Sequence, residues 1–433
     1  MQPPVYCYLI LVPLMYICSC RPALQAPRDL FPEHATEMDT GTEKSDPTVP
    51  VVVYLDATPS MKGFARPDSH IAVFLRHLEM SLVQGGRARP AYTRFGTDVR
   101  PYKVADTIYQ DVSQLKFYDA TDAGTDTHIE KVIAHTAKPG LHVIVTDLFE
   151  ANENITEILR AFHEHVMVRS HVLAICGMRS PFSGRIYDVG PERLSFPYTG
   201  IEGARRRPFY ALLIGTGTDV TAVLDQLTAN AEIIDSKNVL LLGPSLLRQP
   251  LTISGMQEIE RNNANEDAGI APAGSSDVVA YRVTQSPVSC RLALPFRQSR
   301  YAPAIEVTQL PPIATRIKTA AGGDDVENGD IPGSDSIRLN PGKEGTVELA
   351  FSLGFGNVSS GQVYAFSLTP HVTREAVRLP DFVHEWSTSF SGRPSGVDGS
   401  KTLNLHDLIG GMWQIVATRS KPRLGVLYVY FKT

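Results

Sequence analysis

The chain has 433 residues, 43% of them hydrophobic and 20% charged, and a formal net charge of −5. That length allows about two to three domains, and the balance is that of a folded globular protein rather than a disordered one. A net acidic chain whose basic residues cluster only locally, as at Arg205-Arg206-Arg207, is not built to grip nucleic acid.

Residues 1–19 carry no charged side chain, and Val5 to Ile17 is an apolar stretch too short to cross a membrane comfortably but of the length of a signal-peptide core. The stretch ends Ile17-Cys18-Ser19-Cys20, which resembles the lipobox of bacterial lipoproteins. The resemblance implies lipidation at Cys20 and an extracytoplasmic, membrane-anchored protein, on the periplasmic or surface side. Two departures stand against the match, since no Lys or Arg precedes the apolar core and Cys18 is an unusual small residue; the alternatives are an ordinary cleaved signal peptide or a mistaken start site. Residues 21–49 are polar and rich in Pro, Thr, Glu and Asp, as expected of a flexible tether. Of five cysteines only Cys176 and Cys290 lie in the body, in no zinc spacing and without a Cys-x-x-Cys partner. Cys176 ends an apolar run and reads as a buried, inert thiol.

From Val51, strands and helices alternate. Val51 to Asp56 predicts a strand, and the apolar spacing of Ile71 to Leu82 predicts a helix. Ala91 to Phe95 and Val99 to Val104 predict two short strands around Gly96. A helix over Ile129 to Ala137, a buried strand over Leu141 to Thr146 and a helix over Ile155 to Val166 follow. Strands over His171 to Cys176 and Phe209 to Gly215 and a helix over Val220 to Ala231 complete the series. This alternation predicts a doubly wound, mostly parallel α/β sheet over residues 50–245, in which ligands bind at the carboxyl ends of strands. After about Ser245 strand patterns dominate: Val279 to Val283, Val288 to Pro295, Ile305 to Gln309, Thr346 to Leu353, Val363 to Leu368 and Leu424 to Phe431. Residues 246–433 therefore read as a β-rich, sandwich-like domain. It contains a mobile surface loop over 320–336 and one short helix over Leu403 to Val416, a reading against which the pair Gly410-Gly411 counts.

The chemistry concentrates where these strands end. The run VVVYLDATPSM delivers Asp56, with Thr58 and Ser60 at alternate positions behind it. Gly124-Thr125-Asp126-Thr127 precedes a helix, and Asp147 ends the strand LHVIVT. Carboxylate and hydroxyl oxygens from three loops suit a hard divalent cation. Together these segments resemble a von Willebrand factor type A domain with a metal-ion-dependent adhesion site. The resemblance implies one Mg²⁺ or Mn²⁺ held by Asp56, Thr58, Ser60, Thr125 and Asp147, with one coordination position left for a carboxylate on a protein partner. The family often has a glycine after the central-strand aspartate; here it is Leu148, which stiffens that loop. Lys62 lies close enough in sequence to weaken a cation if it points inward, although a solvated lysine is the plainer reading. Met61 to Phe64, Thr146 to Glu150, Arg179 to Tyr187 and Arg207 to Tyr210 are also similar to blocks in poorly characterised bacterial proteins with such a domain. The third block follows a strand, so Phe182 and Tyr187 form either a recognition surface at the metal edge or a packed cover over the sheet.

Other signals are weaker. Gly215-Thr216-Gly217-Thr218-Asp219 lacks the third glycine of a dinucleotide fingerprint, so no nucleotide cofactor is expected. Asp56 lacks the second aspartate that a haloacid-dehalogenase-type phosphotransferase requires, since Thr58 stands there. No complete catalytic motif is present. Three roles remain: a non-enzymatic, metal-dependent protein-binding module; a metal-dependent hydrolase using the same cluster; and a structural envelope subunit with a vestigial site.

Overall fold

The computed structural model describes residues 48–103, 105–119, 122–149, 152–189, 192–229 and 234–244, then 257–262, 278–282, 288–295, 300–305, 313–319, 338–341, 346–353, 362–368, 377–390, 396–419 and 425–432. The expected leader, Cys20, nearly all of the tether and the loop at 320–336 lie outside the described residues.

The first unit runs β1 (Val51–Asp56), α1 (His70–Gln84), β2 (Ala91–Phe95), β3 (Val99–Pro101), α2 (Ile108–Asp111), α3 (Ile129–His135), β4 (Leu141–Thr146) and α4 (Asn152–Phe162). It continues with β5 (Val172–Ser180), β6 (Phe182–Val189), β7 (Leu194–Gly200), β8 (Arg207–Gly215), α5 (Gly217–Thr228) and β9 (Val239–Leu242). Seven of these strands form one sheet in the order β3-β2-β1-β4-β8-β5-β9, and β6 and β7 form a separate hairpin. Residues on alternate sides of each strand feed two apolar cores. Val53, Leu55, Val143 and Leu213 pack with α1 and α5 on one face. Tyr54, Ile144, Leu212 and Ile214 pack with α3 and α4 on the other. The chain is thus a mixed α/β structure built on a central sheet with helices on both faces.

The expected mostly parallel sheet is corrected by the strand pairing. Only β1 with β2 and β1 with β4 are parallel; β2–β3, β4–β8, β8–β5 and β5–β9 are antiparallel. The cause lies between β5 and β8. A parallel return needs a crossover of a dozen or more residues, usually helical. This stretch instead folds into the β6–β7 hairpin, so β8 comes back antiparallel and inserts between β4 and β5.

The C-terminal half is β-rich, as expected. One four-stranded sheet joins Gln257–Asn262, Val288–Pro295, Thr346–Leu353 and Arg338–Pro341; another joins Val278–Arg282, Gly425–Lys432, Gln362–Leu368 and Ile313–Thr319. Of the strand expected over Ile305 to Gln309 only Ala304–Ile305 is a strand, and residues 306–309 lie outside the described residues. Two helices return to the first unit: α6 (Asp381–Glu385) and α7 (Leu405–Arg419). The helix α7 runs unbroken through Gly410 and Gly411. A β-carbon at Gly411 would stand 2.7 Å from a Leu159 methyl, so the glycine is what lets α7 lie close on α4. Leu405, Leu408, Ile409, Met412, Trp413 and Val416 are all buried in the same core as Ile158 and Phe162.

Candidate functional site at the carboxyl edge of the sheet

Because β1 and β4 are parallel neighbours, their carboxyl ends lie side by side. Asp56 ends β1 and is buried. Its Oδ1 accepts from the Thr58 amide at 3.0 Å and from Thr58 Oγ1 at 2.6 Å, and its Oδ2 accepts from Thr146 Oγ1 at 2.9 Å. Thr58 Oγ1 also lies 3.0 Å from Ser60 Oγ and 3.1 Å from Thr127 Oγ1. A hydroxyl has one proton and two lone pairs, so Thr58 donates to Asp56 and accepts from Ser60 and Thr127. The turn Pro59–Phe64 carries Ser60 and ends the chain's excursion at this edge.

Three side-chain oxygens, from Asp56, Ser60 and Thr127, thus gather around Thr58 Oγ1. In an octahedral shell with metal–oxygen distances of about 2.1 Å, adjacent ligands lie about 3 Å apart. The separations of 2.6 to 3.1 Å around Thr58 fit that geometry. Burial, and after it the charge of Asp147, pushes the Asp56 carboxyl up to about 7, against the opposing hydrogen bonds from Thr58 and Thr146. Among the described residues no group of three or more His, Cys, Asp or Glu side chains gathers as a metal cluster. The candidate site is made mostly of hydroxyls.

Two of the expected ligands stand differently. Thr125 is exposed, and Thr127 is the threonine beside Thr58. The loop is shaped by the turn between β2 and β3: the Asp98 amide donates to Ala123 O, the Asp126 amide to Thr97 Oγ1 and the His128 amide to Gly96 O, while Gly124 sits at φ +80°. A β-carbon at Gly96 would stand 2.8 Å from Ala123 O and 3.2 Å from a Thr58 methyl, so only glycine allows this loop so close to Thr58. Asp147 is at the edge as expected, but its Oδ2 accepts from Arg207 Nη2 at 2.9 Å. Its Oδ1 accepts weakly from the Phe149 amide at 3.4 Å.

In the sequence Arg207 belongs to the basic triplet Arg205-Arg206-Arg207 and opens the block Arg207 to Tyr210. It is 1% exposed and lies over the rings of Phe149 and Phe182, at 4.8 and 5.2 Å. Its Nη1 donates to Gly399 O at 3.1 Å, and its Nε is buried without a hydrogen-bond partner. One signal in the sequence points to it. Arg207 lies two residues before Phe209 at the start of a strand, which puts both on one face of the pleat.

The departures noted in the sequence resolve as follows. Leu148 takes the left-handed conformation, φ +49°, that the missing glycine would adopt freely, and it is buried. Lys62 is half-exposed and pairs with Asp119 at 2.5 Å. Glu150 lies outside the described residues. Phe182 is fully buried, edge-on to Phe64 with ring centroids 4.9 Å apart, and Tyr187 is half-buried. Phe182 is therefore packing rather than recognition surface in this state: it pins the β6–β7 hairpin onto the turn at Gly63. Cys176 and Cys290 are buried and form no disulfide with each other, and burial pushes the Cys176 thiol up to about 12. Thr216 caps α5 by accepting from the Asp219 amide, and its hydroxyl donates to the Asp219 carboxylate, which also pairs with buried Arg87, so the Gly-Thr-Gly segment is accounted for by helix capping.

Compared with known proteins, the chain matches no protein-family model, no curated protein and no solved structure, so the reading of this edge rests on its own residues.

Proposed function

We propose that this chain is a protein-binding module of the von Willebrand factor type A kind, anchored outside the cytoplasm through Cys20. In this reading its α/β unit holds a divalent cation, Mg²⁺ or Mn²⁺, and engages a carboxylate on a protein partner. The observation that carries the reading is the convergence of Asp56, Ser60 and Thr127 oxygens on Thr58 at 2.6 to 3.1 Å. In the metal-bound site Asp56, Thr58, Ser60 and Thr127 are the near ligands, and Thr127 takes the role first expected of Thr125. Asp147 acts from further out, through its charge. Hydroxyl ligands leave a cation electrophilic. Two carboxylates, one guanidinium and one dication leave an uncompensated positive charge, which an incoming Asp or Glu would neutralise.

A second reading has its own support. With Asp56 protonated and Asp147 paired to Arg207, the edge is electrically balanced without a metal. A vestigial site serving only to tie loops together is consistent with that balance. Calorimetric titration with Mg²⁺ and Mn²⁺ separates the two. The binding reading expects one site per chain, lost in Asp56→Ala and in Thr58→Val. A wild type that takes up neither ion, or variants that bind as well as wild type, would leave the vestigial reading standing.

A further inference from the structure

The strongest coupling at this edge runs away from the hydroxyl cluster, toward the C-terminal half. Residues 396–404 lie as a strap across the carboxyl edge beside β8 and β5. Hydrogen bonds hold them to the α/β unit. Arg207 Nη1 donates to Gly399 O at 3.1 Å and Arg179 Nη1 to Ser400 O at 3.2 Å. Thr402 Oγ1 donates to Asp147 O at 3.4 Å, and the Thr402 and Tyr210 hydroxyls lie 3.0 Å apart. Gly399 is pressed against the β6–β7 hairpin: a β-carbon there would stand 2.3 Å from the Tyr198 ring. The strap leads directly into α7.

Arg207 is the link. One guanidinium nitrogen holds Asp147 and the other holds the strap, in a buried setting where like charges are felt strongly. We propose that Arg207 is an electrostatic latch. It fastens the strap only while paired with Asp147, and a cation held at the Asp56–Thr58–Ser60–Thr127 cluster loosens the strap by competing for that carboxylate and repelling the guanidinium. This proposal rests on the metal-binding reading for its trigger. Opening would uncover Tyr198 and the hairpin face beneath Gly399, and would free the start of α7, so occupancy of the site is reported to the C-terminal half. By linkage, a partner that holds the strap open also tightens cation binding.

The test is hydrogen–deuterium exchange on the full protein, read on peptides covering 396–404, with peptides of α5 as internal reference. In wild type without added metal the strap amides are protected. Asp147→Asn removes the charge that holds Arg207 and is expected to raise strap exchange about tenfold or more, the effect of losing one charge-assisted hydrogen bond, while α5 is unchanged. Saturating Mn²⁺ on wild type is expected to act in the same direction. If Asp147→Asn proves unstable because it leaves a buried guanidinium unpaired, Asp147→Asn/Arg207→Met removes both charges and gives the same reading. A strap that stays protected in these variants overturns the latch. Calorimetric uptake of Mn²⁺ with an unchanged strap overturns the coupling but leaves the metal reading intact. Absence of any uptake overturns the metal reading, and the cation trigger with it.

Discussion

Asp56 is a carboxyl whose charge is set by its surroundings, and its effect on stability has a definite sign. It is held at about 7, far above the roughly 3.9 of an unfolded aspartate. Between those values the folded protein keeps a proton that the unfolded chain has released. The contribution of Asp56 to stability is therefore full below about pH 4 and is lost as pH rises through about 7. Burial lowers the pKa of His142 and His171, which act in the opposite sense at lower pH, so the comparison must be with Asp56→Asn. In urea denaturation at pH 5 and pH 8 without metal, wild type should lose more stability across that span than Asp56→Asn does; equal changes would exclude a buried, protonated Asp56. Saturating Mg²⁺ should shrink the wild-type loss, because a cation favours the carboxylate. Leu148 poses a different balance. A left-handed leucine costs about 1–2 kcal/mol, but the buried side chain contributes more. Leu148→Gly should relieve the first and forfeit the second, for a net loss of about 2–4 kcal/mol in the same denaturation measurement; a neutral result would mean that strain outweighs packing. Residue types at this edge were legible in the sequence, since Asp56, Thr58 and Ser60 alternate after a buried run. The choice between Thr125 and Thr127 was not, because it depends on hydrogen bonds to Gly96, Thr97 and Asp98 in the turn between β2 and β3.

At the scale of elements, the β6–β7 hairpin decides both the sheet topology and the closure of the site. It docks by putting Phe182 against Gly63, where a β-carbon would stand 2.3 Å from the ring. The backbone of Gly63 is not left-handed, so the glycine is required by space alone. Gly63→Ala should therefore destabilise by about 1–3 kcal/mol through overpacking. The penalty should shrink in a Phe182→Leu background, since the two residues share one contact; an undiminished penalty in the double variant would place the clash elsewhere. The strands and helices of residues 50–245 were legible because apolar runs alternate with polar turns and each period is clear. The antiparallel return of β8 had a signal that the alternation masked. No helical pattern separates His171–Cys176 from Phe209–Gly215, and a parallel pair without a crossover is not allowed. The functional consequence is large, because reversing β8 brings its first residue, Arg207, to the same edge as Asp147.

At the scale of the whole molecule, the composition shift near Ser245 marks a change of architecture but not a clean break in the core. The apolar stripe of α7 was visible in Leu403 to Val416. What it packs against was not, because the partner face on α4 lies some 250 residues earlier. Leu405, Leu408, Ile409, Met412, Trp413 and Val416 are each at most 2% exposed, in one cluster with Ile155, Ile158 and Phe162. Burying side chains of this size contributes roughly 1.5–3 kcal/mol apiece, so the gross contribution of α7 is comparable to the whole net stability of a domain. Removing it also leaves the α4 face of the sheet as a contiguous apolar patch, which soluble monomers rarely expose. A fragment of residues 48–244 should therefore be insoluble, self-associate, or unfold at markedly lower urea than residues 48–433, as followed by size exclusion and denaturation. Adding back a peptide spanning 379–419 should recover part of the loss, because it restores α6, the strap and α7 together. A fragment that is monomeric with the midpoint of the longer chain would show that the α/β unit is self-sufficient, and α7 would then be a docked appendage that the strap is free to release.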